Sequence, residues 1–374
     1  MFELQQNDEH RPEHGSLFPV RARIKVIGIG GGGCNAVNRM IAERVQGVEF
    51  IAMNTDAQAL AVSKAARRVQ LGESATKGLG SGGDPEVGRA AAEESGETIR
   101  RSVADADMVF IAAGLGGGTG TGGAPLVARA AREAGALTVA VVTKPFLFEG
   151  PRRKRVAEEG AARITEFADT IITVPNDRLL EISERRTTLQ EAFAAADDVL
   201  RQGVQGISDI ILQPGIINVD FADVRAVMKD AGSAMMGLGR ASGQGAARVA
   251  AEKAANSPLL ERNIQGARRL LVNIESGSSL ALNDIHEAME YLVQFTEPDD
   301  ADVIVGHVLR SDLGDEVMIT LMAACVDKPS ALPAAQAAVE QFEPLEGPLP
   351  TAEEESDLAL DIPTFLRRQR QGEP

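Results

Sequence analysis

The sequence predicts an α/β fold: a parallel sheet covered by helices on both faces, joined through one long central helix to a smaller α+β domain. Three observations predict it. In the first half "KVIGIG", "VEFIAMN", "ADMVFIAAG" and "ALTVAVVTKPF" alternate with helical segments, and near-continuous apolar runs of this kind are strands buried on both faces. Phe193, Ala196, Leu200, Val204, Ile207 and Ile211 fall at spacings of three and four, the period of an amphipathic helix. The last part changes character, with strands "RRLLVNIESG", "ADVIVGHVLR" and "EVMITLMAAC" and the helix "NDIHEAMEYLVQF" before the second.

Taken in order, residues 1–22 are polar and without period, a flexible arm. "RIKVIGIGGGG" is a strand entering a glycine turn, and "CNAVNRMIAERV" continues as a helix. "VEFIAMNTD" is the second strand, "GESATKGLGSGGDPEVG" a loop, and "RAAAEESGETIRRSV" a helix. After "ADMVFIAAG" comes "GLGGGTGTGG" (114–123) and the helix "APLVARAAREAG". These readings place a nucleotide-binding domain at 23–188, the central helix at 189–211, and a loop with its following helix at 212–229. The α+β domain takes 230–326, a Pro-, Ala- and Glu-rich disordered linker 327–357, and a terminal peptide 358–374. Pro214–Gly215 punctuates the end of the central helix.

Net charge is −16 over 374 residues. Whole-molecule electrostatics therefore oppose nucleic acid and anionic membrane surfaces, and a polyphosphate would have to be captured locally. Cys34 and Cys325 match no metal-ligand spacing, so reduced thiols and no protein-held metal are expected. The polar start lacks the pattern of a signal peptide, and no apolar run is long enough to span a membrane. The expectation is a cytoplasmic protein without direct membrane insertion.

The glycine loops carry the chemistry. At the junction of a strand and a helix, glycine lets successive N–H groups approach an anion, and the helix dipole adds to them. Gly28-x-Gly30-x-x-Gly33 with "NTD" about 20 residues on is also the dinucleotide fingerprint, so an NAD-type dehydrogenase is a rival. Against it stand the richer 114–123 loop, with hydroxyls at Thr119 and Thr121, and a third loop, "GLGSGGD". Three loops at neighbouring strand ends would ring a triphosphate. The GxxxxGK[ST] sequence of P-loop enzymes is absent.

"GGGTGTG" (116–122), "KVIGIGGGGCNAVNRM", "NTDAQAL", "GDPEVGRAAAEES", "VVTKPFLFEG", "VPNDRLL", "ADDVLRQGVQGISDII" and "PGIINVDFADVRAVM" together carry a resemblance. The chain is similar to the FtsZ family of division GTPases in the tubulin superfamily, in order over roughly residues 24–325 and again at the terminal peptide. The resemblance implies a Rossmann-like GTPase domain whose Gly31, Gly32, Asn35, Gly117, Gly118, Thr119 and Gly120 hold the phosphates of GTP or GDP. It implies ribose contacts from Glu149 and Arg153, and guanine recognition by Asn176 and Asp198. Asp197 reads as a helix charge. Mg²⁺ is expected to bind through the nucleotide phosphates rather than a protein cage.

In isolation Asp220 and Asp223 of "NVDFADV" (218–224) read as helix caps. The resemblance instead implies that Asn218, Asp220 and Asp223 enter the next subunit's pocket and orient the attacking water. The implied protein is a GTPase active on polymerisation, a head-to-tail filament in bacterial cytokinesis, located beneath the membrane at mid-cell. Asp361, Ile362, Pro363, Phe365 and Leu366 resemble the family's peptide that docks onto membrane-tethering division proteins. A non-dividing or regulatory filament-forming paralogue is the alternative. Among departures from the family pattern, Gly123 and Asp84 fall within the glycine loops and read as tolerable, while "QGAAR" and "MITLMAAC" leave those loops untouched.

Overall fold

A computed structural model describes residues 22–182, 187–213, 215–297 and 300–324. The linker, the terminal peptide, Cys325, Pro214 and all but the end of the N-terminal arm lie outside the described residues. The first half runs β1 (Ile24–Ile29), α1 (Gly30–Ala42), β2 (Val48–Asn54), α2 (Ala57–Ala61), β3 (Arg67–Gln70), α3 (Glu73–Thr76), α4 (Pro85–Glu94), α5 (Gly96–Val103), β4 (Met108–Gly114), α6 (Thr119–Glu133), β5 (Leu137–Lys144), α7 (Pro151–Thr165), β6 (Thr170–Pro175) and α8 (Asn176–Ile182). It continues with α9 (Leu189–Leu212), α10 (Phe221–Met228), β7 (Gly232–Ser242), α11 (Ala246–Ala255), β8 (Arg269–Ser276), α12 (Leu282–Val293), β9 (Asp302–Leu309) and β10 (Glu316–Ala324).

All ten strands form one sheet in the order β3-β2-β1-β4-β5-β6-β7-β10-β8-β9. The first six are parallel, and β1 pairs with both β2 and β4, Ile24 opposite Val48 and Met108. The expected parallel sheet is therefore present, and apolar side chains fill both of its faces. Phe110 and Val141 enter one core with α1 and α9, while Ile111 and Val142 enter another with α6. β7 joins β6 in parallel over three residue pairs, and β10 runs antiparallel between β7 and β8.

The long helix forms as its period demands. Thr188 and Glu191 close a reciprocal capping box at its start. Leu200, Val204, Ile207 and Ile210 then enter a core shared with Val139 of β5 and with Leu271 and Met322 of the C-terminal sheet. One helix thus packs on both halves of the sheet.

Three local expectations change. α1 begins at Gly30 and α6 at Thr119, inside the glycine runs. The helix expected from residue 89 to 103 is two, because Asp84 caps α4 one residue before Pro85 and the chain breaks at Ser95. β3, β6, β7 and α11 went unread. For β7 the cause is packing: a Cβ on Gly237 would lie 2.0 Å from the Ala254 carbonyl, and one on Gly239 1.9 Å from that of Ala250. Glycines there let the alanine face of α11 seat on the strand, which erases any apolar alternation.

Candidate functional site

The sheet order reverses between β1 and β4, since β2 and β3 lie to one side and β5 and β6 to the other. A crevice opens at such a switch point, outside the carboxyl ends of the strands. The loops after β1 and β4 are the two glycine runs, so topology alone brings them together.

Their contact is close. A Cβ on Gly30 (φ +70°) would lie 2.8 Å from the amide nitrogen of Gly120, and one on Gly33 2.2 Å from the Ala112 carbonyl. By contrast a Cβ on Gly31 or Gly117 would meet nothing within 4 Å. These two glycines border open space. Asn35, exposed one turn after Gly31, and Gly32, which packs on Gly114, complete the α1 side. Neither α1 nor α6 has a side-chain cap. Two long helices therefore direct their uncapped first-turn N–H groups and positive dipole ends into one crevice, an arrangement suited to phosphate.

Thr119 ties the loops together. Its hydroxyl lies 2.6 Å from that of Thr55 at the end of β2 and 3.0 Å from that of Ser81 in the third loop. The third loop also leans on the second, since a Cβ on Gly118 would lie 2.2 Å from the Ser81 hydroxyl. Thr121 turns inward, where its hydroxyl accepts from the Gly116 amide at 2.9 Å; it braces the loop rather than offering a donor to the crevice. Sequence reading missed Thr55 and Ser81, because only the fold joins residues this far apart. The acid of "NTD", Asp56, accepts from the amides of Gln58 and Ala59 and caps α2. The dehydrogenase reading needed it for a ribose.

Glu149 and Arg153 form an ion pair one helical turn apart, and Glu149 also accepts from the Phe146 amide at 3.0 Å. The Arg153 carbonyl lies against Gly116, which places the pair beside the phosphate loop. Asn176, at the start of α8, is buried with its Oδ1 unpartnered. The Leu147 amide donates to Asp177 at 2.9 Å and joins the two segments.

On α9 the neighbouring acids part company. Asp198 Oδ1 accepts from Arg39 Nε at 2.9 Å and Arg201 Nε at 2.7 Å, and Oδ2 accepts from Gln202. Burial pushes this carboxyl up, but hydrogen bonds from Arg201, Gln202 and Arg39 and the Arg201 charge outweigh it and hold it at about 2. It lines a different cleft, along α9 with Arg201 and Gln202. Among the described residues nothing pairs with the Asp197 carboxyl. Burial pushes it up to about 7, with the Arg39 charge opposing and Asp198 adding. One turn before Asp197 stands Phe193, read from the sequence as core but 40% exposed, its ring edge-on to buried Phe146 at 5.5 Å. A flat, partly exposed ring one helical turn from an acid with no hydrogen-bond partner suits a purine base. The i, i+4 spacing of Phe193 and Asp197 was the signal in the sequence.

Family models and solved structures match this chain. A family model of the Tubulin/FtsZ GTPase domain matches residues 23–184, and one of the FtsZ C-terminal domain matches residues 232–327. A solved FtsZ dimer from M. jannaschii, described as empty, is 42% identical with a TM-score of 0.79, over 82% of this chain and 89% of that one. The chain belongs to the Tubulin/FtsZ family. CetZ1 from Haloferax volcanii, solved as a GDP-bound monomer, shares the fold at 20% identity and a TM-score of 0.70, over 80% of this chain and 93% of that one. CetZ2 from the same organism, solved as a GTPγS-bound protofilament, does so at 20% and 0.68, over 80% and 92%. Tubulin/FtsZ family members are GTPases, so the family implies guanine nucleotide binding.

In this FtsZ-family chain the remaining predicted residues lie elsewhere. Asn218, Asp220 and Asp223 follow the far end of α9 and are exposed. The Asn218 Oδ1 accepts from the Gly215 amide at 2.9 Å, and Ile217 bridges to His307 of β9. Asp220 is the N-cap of α10, accepting from the Asp223 amide at 2.8 Å. The cap read from the sequence is therefore real for Asp220, while Asp223 supplies only its backbone to that bond. α10 is anchored by Arg225, which reaches the Asp107 carbonyl at 3.3 Å, and by Arg269, which reaches the Lys229 carbonyl at 2.8 Å. From Asp197 to the end of α9 the rise is about 23 Å at 1.5 Å per residue. The structure does not bring these acids to the glycine loops of the same chain.

Proposed function

We propose that the chain binds GTP in the crevice between β1 and β4 and hydrolyses it after head-to-tail assembly. Gly31, Gly32, Asn35, Gly117, Gly118, Thr119 and Gly120 line the phosphate end in this reading, Glu149 and Arg153 the ribose, and Asn176 the base. Asp197, whose carboxyl has no hydrogen-bonding partner among the described residues, takes the guanine-reading role assigned above to Asp198. An acid accepting from N1–H and the 2-amino group selects guanine over adenine, which lacks that donor pair.

One observation carries the reading: the crevice and the exposed acids stand at opposite ends of a 24-residue helix. A subunit stacked end to end on another puts the acids of one at the crevice of the next. There Asp223 and Asn218 orient a water toward the γ-phosphate, with Asp220 holding the first turn of α10 in place. Phosphoryl transfer rests on positioning and charge stabilisation, so a site divided across an interface suffices. Such a contact is heterologous and yields an open filament.

The crevice presents amides and hydroxyls, and among the described residues no cluster of three or more His, Cys, Asp or Glu could hold a metal. Mg²⁺ fits here as a passenger of the nucleotide, bound through phosphate oxygens and water and neutralising their charge. Among the described residues no helix is long and apolar enough to cross a membrane. The membrane link in this reading is indirect, through Asp361, Ile362, Pro363, Phe365 and Leu366, and the filament is a cytoplasmic division ring at mid-cell.

The test is Asp223→Ala. The variant should bind GTP, pellet with it, and release phosphate at least tenfold more slowly; undiminished turnover overturns the divided site. Asp220→Ala is the weaker probe, because it also removes a cap worth about 1 kcal/mol. Normal division after depletion of a chain that still assembles would place it with the non-dividing paralogues.

A further inference from the structure

A cleft of about 490 Å³ runs between α9 and the C-terminal sheet. Glu275 of β8, 1% exposed, lines it, and Asp209 of α9, 4% exposed, is buried at the same helix–sheet junction. The helix is seated closely here. Asn273 of β8 donates to the Gly206 carbonyl at 3.1 Å, and a Cβ on Gly206 would lie 2.7 Å from the Thr320 methyl.

Charge is not balanced at this junction. Glu275 accepts from Arg310 Nη1 at 3.3 Å and from Asn273 at 3.3 Å. Asp209 accepts from Gln205 at 3.1 Å and lies 3.9 Å from the same Arg310 nitrogen. Arg310 is already held by both oxygens of Asp312, at 3.1 Å each. Of the other cations on the cleft, Arg201 is committed to Asp198 and Gln205, and Arg240 to Glu316 at 2.6 Å. Glu43 adds a further acid on the opposite wall. His307 stands on the alternate face of the sheet, its Nε2 2.8 Å from the Ser276 hydroxyl, and burial lowers its pKa. Three carboxyls thus share one guanidinium, and two of them are out of reach of water.

We propose that Asp209, Glu275 and Arg310 form a proton-held latch that docks the central helix on the C-terminal sheet, closed while the two buried carboxyls share a proton and loosened when it leaves. The inference concerns the junction alone and does not depend on what the crevice binds. Burial, with the Asp209 charge adding, pushes Glu275 up to about 7, and burial also raises Asp209. Opening the junction would return Glu275 to its ordinary value of 4.5. Between those two values the closed form binds the extra proton, so rising pH favours opening, about tenfold per unit, and above about 7 the effect levels off.

The measurement is hydrogen exchange in the full-length chain without nucleotide, corrected for intrinsic rates, from pH 5 to 9. Amides of residues 205–212 and 269–276 should lose protection by about tenfold or more between pH 5.5 and 7 and then plateau. In Glu275→Gln, a neutral isostere, the pH dependence should shrink, leaving only what the buried Asp209 contributes. Infrared spectroscopy gives a second reading: a buried carboxylic-acid carbonyl band should vanish with a midpoint near 7, and the part due to Glu275, beyond that of Asp197, should be missing in Glu275→Gln. In Asp209→Asn that midpoint should fall. Wild-type protection independent of pH, an unchanged profile in Glu275→Gln, or no acid band above pH 6 overturns the latch.

Discussion

Asp197 and Asp198 are adjacent on one helix, yet burial with no hydrogen-bonding partner raises one carboxyl to about 7 while three donors hold the other at about 2. Their variants should differ accordingly. Asp197→Asn should weaken GTP about 10- to 100-fold, the value of a charged hydrogen bond, and narrow the gap between GTP and XTP in competition binding. Asp198→Asn should chiefly lower thermal stability, because it strips Arg39 and Arg201 of their partner. The titration adds a sign. A carboxylate reading guanine must shed its proton, so wild-type affinity should fall by up to about tenfold per unit as pH drops below about 7. Isothermal titration at several pH values, with Asp197→Asn as the reference lacking this titration, isolates that component. In the sequence the pair could not be separated, since the choice depends on Arg39, which is 158 positions from Asp197 and is brought near only by the packing of α1 on α9.

Elements explain why the glycines are not equivalent. Gly31 and Gly117 border open space, whereas a Cβ on Gly118 would lie 2.2 Å from the Ser81 hydroxyl and 2.7 Å from the Asp84 carbonyl. Gly31→Ala should therefore leave the urea midpoint of the nucleotide-free chain unchanged while weakening GTP binding. Gly118→Ala should cost about 1–3 kcal/mol of stability by overpacking. An equal stability loss in both would remove Gly31 from the open side of the crevice. The same steric logic accounts for the elements the sequence concealed. β7 and α11 are held together through glycine and alanine, which carry little hydrophobic signal, while β1, β4, β5 and α9 announce themselves through Val, Ile, Leu and Phe.

At the scale of the molecule, the described residues fall within a unit from Met1 to Asp327. A chain ending at Asp327 should unfold at the wild-type temperature and keep GTP-dependent phosphate release. In the proposed reading it should lose co-sedimentation with tethering partners. What the sequence determined by itself was local: strands buried on both faces, one long amphipathic helix, and runs of glycine at strand ends, because hydrophobic period and the lack of Cβ act over a few residues. What only the tertiary structure decided was convergence. The sheet order puts the loops after β1 and β4 side by side and joins Thr55, Ser81 and Thr119 by their hydroxyls. It also turns Asp198 away from the acid beside it, and sends Asp220 and Asp223 to the far end of α9. None of these distances is written in residue spacing, since each is set by which elements find room to pack.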